Sequence, residues 1–301
     1  MTAMNSMTSP TESPLWCRGL TRSYSRTQVL AGVDLELTPG SVTGLVGRNG
    51  AGKTTLIKCL LGLLRRDGGT AQTLGAEPWD LTDAAKEQLG YVAQQPDLPG
   101  WLNVRQCLTY VGAFYPTWDA AMALDLASRW ELPEKTKVKA LSAGQLQVLA
   151  IIAALGHRPK LLVLDEPAAA LDPLARRRFL QELLGVVGRG GTVLFSTHLT
   201  ADLERVADRV AVLRQGKIAF HGGLDELLDR TKRLRCIFPS QTEPQPRPAI
   251  AGLLSWTSGP TGSVAVVHGD LAAATAVLHA AGATVTVDDL NLEDILVELH
   301  R

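Results

Sequence analysis

The sequence lacks long hydrophobic runs, although its overall composition is slightly apolar. Hydrophobic residues make up 46% of its 301 residues, and the mean hydropathy is +0.07, which is too apolar for a disordered chain. The longest apolar stretch, residues 148–156, is much shorter than the ~20 residues that cross a bilayer. We therefore expect a folded chain without a membrane span, whose apolar excess is buried in another way.

Cysteine is scarce, and neither sign of charge predominates. Cys17, Cys59, Cys107 and Cys236 form no C-x-x-C pair, which excludes the common zinc patterns and favours free thiols in a reducing compartment.

Lysine plus arginine is 30 and aspartate plus glutamate is 30, so the formal net charge is zero. Because binding to a phosphate backbone needs a basic excess, no nucleic acid is expected as a partner.

Composition and pattern divide the chain into four regions. Residues 1–14 are rich in Ser, Thr and Pro without a basic start, so we predict a flexible tail there and not an export signal. Strand and helix patterns alternate over residues 15–230, which predicts an α/β domain with a mainly parallel sheet covered on both faces, and its part at about 95–155 is predicted to be a helical subdomain. A basic run and several prolines predict a linker over 231–250. Residues 251–301 are predicted to form a small α/β module.

A glycine-rich phosphate loop stands between a strand pattern and a helix pattern. The residues from Gly47 to Thr54 read GRNGAGKT and fit G-x-x-x-x-G-K-[ST]. Glycines let backbone N–H groups surround phosphate oxygens, and the following helix turns its positive end toward them. Lys53 is predicted to reach the terminal phosphates, and the Thr54 hydroxyl to bind Mg²⁺. The full predicted set is Gly47, Asn49, Gly50, Ala51, Gly52, Lys53, Thr54 and Thr55.

Two acidic residues follow the apolar strand pattern at 161–164. The carboxyl end of a buried parallel strand faces the ligand crevice, which places Asp165 and Glu166 there. Asp165 is predicted to hold Mg²⁺, commonly through water, and Glu166 to accept a proton from an attacking water. The alternative is an ordinary solvated strand end.

Five further motifs occur in a fixed order around these two. They are Tyr24, Gln94 after Tyr-Val-Ala, the run Leu-Ser-Ala-Gly-Gln at 141–145, Asp172 after Ala-Leu, and His198 after Ser-Thr. Together the motifs resemble those of ATP-binding cassette (ABC) ATPases over about residues 15–225, where the signature usually reads LSGGQ. The chain departs from that pattern at Ala143, Leu146 and Val148 of the signature region, and at Ala170.

The resemblance implies a P-loop nucleoside triphosphatase fold, with ATP and Mg²⁺ sandwiched between two cassettes of the same or different sequence. It implies catalytic roles for Glu166, His198 and Lys53. It also implies Mg²⁺ contacts for Thr54, Gln94 and Asp165, stacking of Tyr24 on adenine, signature contacts to the other cassette's ATP by Ser142, Ala143, Gly144 and Gln145, and a dimer contact by Asp172. The alternatives are that Ser142 is an ordinary N-cap, that Tyr24 is a core residue, that Gln94 is a turn residue and that His198 is a polar strand end.

A single cassette without a span implies a separate transmembrane permease and a peripheral location on the cytoplasmic face of the cell membrane. Residues 99–102, with Trp101, are an expected docking patch, and a buried Trp101 is the alternative. The run FYPTWD at 114–119 and the C-terminal residues 291–299 resemble bacterial exporter ATPases. An importer ATPase and a non-transport ABC ATPase stay open as alternatives.

Overall fold

The computed structural model describes residues 13–238, 247–259 and 262–299. It divides into two compact units, Met1–Ile218 and Ala219–Arg301, whereas the sequence predicted the main boundary near residue 230. Residues 1–12 of the predicted tail lie outside the described residues. Ser13 is buried, and its hydroxyl donates to the carbonyl oxygens of Leu15 and Leu37 at 2.9 and 2.8 Å, so Ser13 is part of the fold and the predicted flexible tail is wrong at this residue.

The larger sheet consists of β3 (Val42–Val46), β5 (Leu89–Val92), β6 (Leu161–Leu164), β7 (Thr192–Thr197), β8 (Arg209–Arg214) and β9 (Lys217–Gly223). These strands lie in the order β5-β6-β7-β3-β8-β9, and the boundary between the two units falls within β9. The β5–β6, β6–β7, β7–β3 and β3–β8 ladders are all parallel. This confirms the predicted mainly parallel sheet, whose central strands are apolar on both faces.

A second, antiparallel sheet packs against α1, the helix that follows the phosphate loop. It comprises β1 (Leu15–Tyr24), β2 (Thr27–Glu36) and β4 (Gly68–Thr73) in the order β2-β1-β4. Leucines of this sheet and of the parallel sheet share one core with α1 (Lys53–Leu60). Because Leu56, Ile57 and Leu60 are buried in that core, the N-terminus of α1 has a fixed position at the carboxyl end of β3.

Helices occupy the region that was predicted as the helical subdomain. It contains α3 (Val104–Gly112), α4 (Ala120–Arg129) and α5 (Ala143–Leu155), which contact one another. Three further α-helices are described in this unit. They are α2 (Asp83–Lys86), which is a single turn, α6 (Pro173–Gly188) and α7 (Thr200–Val206). No helix within the described residues is both long and apolar enough to cross a bilayer.

The second unit is built on a four-stranded antiparallel sheet of β10 (Thr231–Ile237), β11 (Leu253–Gly259), β12 (Gly262–His268) and β13 (Thr284–Asp289), in the order β11-β12-β10-β13. Residues 231–237, which were predicted to begin a linker, instead form the inner strand β10, because Leu234 and Cys236 alternate with the basic residues and enter the core. Residues 239–246 of the predicted linker lie outside the described residues. The helices described in this unit are α8 (Leu224–Arg230), α9 (Leu271–Ala280) and α10 (Leu292–Leu299).

Candidate functional site

The loop between β3 and α1 is shaped by glycines that have no room for a side chain. Gly52 adopts a φ of 104°, and a Cβ there would lie 3.0–3.2 Å from atoms of Val29 and Leu30. A Cβ on Gly47 would lie 2.6 Å from the carbonyl oxygen of Leu213. Neither position accepts a side chain unless its neighbours move. The backbone path of the loop therefore requires glycine at both positions.

An open cavity of about 350 Å³ lies over the start of α1. It brings four separate segments together, namely β2, the phosphate loop with the start of α1, the loop after β5 and the end of β6. The predicted residues Gln94 and Glu166 therefore share one site with the phosphate loop. The cavity is lined by Val29, Asn49, Gly50, Gly52, Lys53, Thr54, Thr55, Gln94 and Glu166.

The side chains of Lys53, Glu166 and His198 contact one another in series across this site. The Lys53 Nζ atom donates to the Gly47 carbonyl oxygen at 2.8 Å and lies 3.1 Å from the Glu166 Oε1 atom. The Glu166 Oε2 atom lies 2.8 Å from Nδ1 of His198. Lys53 and Glu166 are buried, where each charge needs a partner, whereas the His198 side chain is 49% exposed. The three predicted catalytic side chains are thus in direct contact, with the Glu166 carboxylate in the middle.

Ser196 is a site residue that sequence reasoning did not identify. It lies at the end of β7, fully buried, beside the carboxyl end of β6. Its Oγ atom donates to the Asp165 Oδ1 atom at 2.8 Å and accepts from the backbone N–H of Glu166 at 2.8 Å. Glu166 has a φ of 48°, an uncommon conformation for a residue with a side chain. One hydroxyl therefore holds both acidic residues.

The oxygen donors near α1 fit a magnesium ion. Asp165 is buried, and its Oδ2 atom has no hydrogen-bond partner among the described residues. A buried carboxylate oxygen of that kind is stabilised by a cation, and Mg²⁺ prefers oxygen ligands from one or two protein groups together with phosphates. Asp165, the Thr54 hydroxyl and the Gln94 amide oxygen are the groups of this chain that would hold it.

Tyr24 lies on the surface at the end of β1. The residue is 46% exposed, so the alternative of a core tyrosine is wrong. The Arg22 guanidinium lies 5.1 Å from the centre of its ring, which is within the range of a cation–π contact. The exposed ring is thus open to stacking by a further planar group.

The predicted signature and Asp172 lie outside the lining of this cavity. Ser142 caps α5, with its Oγ accepting from the Gln145 N–H at 3.2 Å while the Gln145 Oε1 atom accepts from the Ser142 N–H at 3.0 Å. Asp172 caps α6 by accepting from the N–H groups of Leu174 and Ala175 at 2.9 Å. Among the described residues, both motifs therefore serve as helix caps away from the cavity over the phosphate loop.

Comparison with known proteins agrees with this arrangement. Residues 30–169 match the family described as ABC transporter. Over 206 residues the chain is 36% identical to an ABC transporter ATP-binding protein of Nostoc sp., covering 66% of this chain and 61% of that protein. Over 222 residues it is 34% identical to the Nod factor export ATP-binding protein I of Burkholderia lata, covering 72% and 73% respectively. The chain belongs to the ATP-binding cassettes of the ABC transporter family.

The fold agrees with a solved ABC cassette. The structure of an ATP-binding subunit of an ABC transporter superposes with a TM-score of 0.67 at 28% identity, covering 72% of this chain and 92% of that one. The predicted family and the P-loop α/β fold class are therefore confirmed. The chain spans about three fifths of the length of the Nostoc relative, 61%.

Proposed function

We propose that this chain is the ATP-binding and ATP-hydrolysing subunit of an ABC exporter. It drives a separate transmembrane permease by ATP-dependent dimerisation of two cassettes. The observation that carries this proposal is the convergence of Lys53, Glu166 and His198 beside the phosphate loop. A buried carboxylate between a cation and an imidazole is suited to receive a proton from water beside a terminal phosphate.

Each residue of the site has one task in this proposal. Backbone N–H groups of the phosphate loop bind the phosphates, and Lys53 exchanges its contact with Glu166 for a phosphate oxygen. Glu166 then accepts the proton of the attacking water, while His198 orients the carboxylate and faces the γ-phosphate. Mg²⁺, when bound, would neutralise phosphate charge, and Thr54, Asp165 and Gln94 would hold it. Tyr24 stacks on the adenine.

Glu166→Gln tests the proposed base. The amide has nearly the same shape but cannot accept a proton, so we expect turnover to fall by about 10²–10⁴-fold while ATP is still bound. Steady-state phosphate release and ATP binding by calorimetry measure the two effects. Glu204→Gln, an exposed glutamate on α7, is the matched control and should leave turnover unchanged. Normal turnover in Glu166→Gln would contradict the assignment.

Dimerisation of cassettes is the second part of the proposal. The signature residues Ser142–Gln145 and Asp172 lie outside the cavity of their own chain, as expected if they act on the ATP of a second cassette. The Glu166→Gln variant should therefore accumulate as a dimer with Mg-ATP and return to a monomer with ADP. Sedimentation velocity in both nucleotides gives this result directly, and a variant that stays monomeric with Mg-ATP would exclude the sandwich.

Exposed aromatic side chains support docking of a permease. Trp101 is 72% exposed, so the alternative of a core tryptophan is wrong. Tyr110 and Phe114 at the end of α3 are also exposed and contact each other edge to face at 5.3 Å. An apolar groove of about 580 Å³ lies in the same unit, with Leu63 and Trp79 among its lining residues. Exposed apolar surface of this kind marks interaction sites, and a permease would hold the chain at the cytoplasmic face of the membrane.

Export, as opposed to import, is supported by weaker observations. The Burkholderia lata relative is named an export protein, and the FYPTWD run resembles exporter ATPases. Co-purification of the chain from membranes, followed by identification of the partner, tests this part. A permease without a solute-binding protein supports export, whereas capture of a solute-binding protein favours an importer. Recovery with a soluble, non-membrane assembly would favour a non-transport ATPase.

A further inference from the structure

An ion pair between α6 and α7 is not used by the proposed mechanism. The Arg176 Nε atom donates to Oδ1 of Asp202. Asp202 is 1% exposed, and the Arg176 side chain is 27% exposed. Because a buried carboxylate without a partner is strongly unfavourable, this contact ties the two helices to each other.

The pair lies between two loops of the site. Arg176 belongs to the first turn of α6, whose N-cap is Asp172, and its backbone N–H donates to the Asp172 carbonyl oxygen at 2.9 Å. Asp202 belongs to the first turn of α7, which begins at Thr200. Only Leu199 separates His198 from that helix, and its N–H donates to Thr197 Oγ1 at 3.0 Å. The connection from Asp172 to His198 therefore consists of two helix starts and one ion pair.

Among the described residues, Arg176 is the cation that pairs with the Asp202 carboxylate. Its Oδ2 atom is buried and has no hydrogen-bond partner among the described residues. If α6 shifts, α7 must follow it or leave a buried charge unpaired. Packed elements that are joined in this way move as units, so a displacement at one loop is passed to the other.

We propose that Arg176 and Asp202 are a positioning pair that couples the Asp172 loop, residues 170–172 before α6, to His198. The inference rests on the proposed function, in which a second cassette contacts Asp172 and His198 faces the γ-phosphate. Contact of the second cassette with the Asp172 loop moves the start of α6, and the ion pair carries α7 and His198 with it. Neither residue touches the nucleotide in this proposal.

The test compares two substitutions of Arg176 in the full chain. Arg176→Met removes the charge and keeps the length, whereas Arg176→Lys keeps the charge. We expect Arg176→Met to lower kcat about tenfold with an ATP Kd within about twofold of the original value, and Arg176→Lys to restore most of the loss. Arg177→Met, at the exposed neighbouring position, is the control and should leave kcat unchanged.

A spectroscopic measurement separates positioning from a general loss of stability. The imidazole ¹⁵N resonances of His198, assigned with His198→Gln, should shift in Arg176→Met and return in Arg176→Lys. An unchanged His198 resonance in a folded Arg176→Met protein would overturn the proposal even if kcat fell. If Arg176→Met does not fold, the isosteric Asp202→Asn is measured in the same way. If the unsubstituted chain hydrolyses no ATP, the proposed function fails, and the resonance still tests the link between the helices.

Discussion

At the end of β6, two carboxylates depend on a hydroxyl from the neighbouring strand. Ser196 is positioned by parallel pairing of β6 with β7, and its Oγ atom lies 2.8 Å from both Asp165 Oδ1 and the Glu166 nitrogen. A hydroxyl can donate one hydrogen bond and accept others, so a single residue satisfies an acceptor and a donor at once. Fixed carboxylates lose less entropy on binding a metal ion or orienting a water.

We expect Ser196→Ala to weaken the response of the enzyme to Mg²⁺. The change leaves the Asp165 Oδ1 atom and the Glu166 N–H unpaired in a buried place, which costs about 1–3 kcal/mol of unfolding free energy. The Mg²⁺ concentration for half-maximal turnover should rise, and Ser196→Thr, which keeps the hydroxyl, should restore it. Turnover against Mg²⁺ concentration and urea denaturation measure the two effects.

Ser41→Ala is the matched control for this prediction. Ser41 is also buried and donates to the Thr38 carbonyl oxygen at 2.7 Å, away from the cavity lining. It should lower stability and leave the Mg²⁺ dependence unchanged. Equal Mg²⁺ dependence in Ser196→Ala and the unsubstituted protein would show that the hydroxyl has only a structural role.

At the scale of elements, Trp118 holds α3 and α5 together. A Cβ on Gly112, at the end of α3, would lie 2.6 Å from the indole, and one on Gly156, just after α5, would lie 2.3 Å from it. The indole therefore rests directly on the backbone at the ends of both helices. This contact gives the tryptophan of the FYPTWD run a packing role, independent of any resemblance to exporters.

Gly156→Ala should therefore destabilise the protein. The added methyl group overlaps the Trp118 ring, and overpacking of this kind costs about 1–3 kcal/mol. In a chain that already carries Trp118→Leu, Gly156→Ala should lower the free energy of unfolding by less, because the leucine leaves room for the methyl group. The costs of the two substitutions are then non-additive. Free energies of unfolding from urea denaturation give the comparison. Gly188→Ala, where nothing lies within 4 Å of the added Cβ, should cost nothing, and an equal cost at both glycines would contradict the overlap.

At the scale of the whole molecule, each of the two units has a core of its own. The second unit buries Leu234, Cys236, Ala265, Val267, Ala274, Leu278 and Ala283, a smaller core than that of the first. Small units bury a smaller fraction of their surface and are less stable. The cysteines are free and buried, three in the first unit and Cys236 in the second. Burial raises the pKa of the Cys17 thiol to about 12 and that of Cys59 to about 11.

These thiols report the unfolding of each unit. With increasing urea, we expect one thiol to react with Ellman's reagent first and three to follow at higher urea, while the native chain stays unreactive. Cys236→Ala should remove the first step and keep the second. Simultaneous reaction of all four thiols would show that the two units unfold as one cooperative body.

Several features could be predicted from the sequence because they depend on local patterns. The phosphate loop, Asp165 and Glu166 follow strands whose apolar runs are visible along the chain. The strand β10 was missed because its lysine and two arginines are typical of a solvated linker in the sequence. In the structure all three form ion pairs with acidic residues of the same unit. A strand with one polar face is ambiguous until its neighbours are known.

The sequence by itself determined the family, because its short motifs occur in a recognisable order along the chain. It also identified the phosphate loop and the two acidic residues, because each of these is a run of neighbouring positions. Only the tertiary structure decided that Ser196 holds both carboxylates, that Glu166 lies between Lys53 and His198, and that Arg176 meets Asp202. These contacts join residues far apart in the chain. Their geometry depends on strand register and helix packing, which no local pattern specifies.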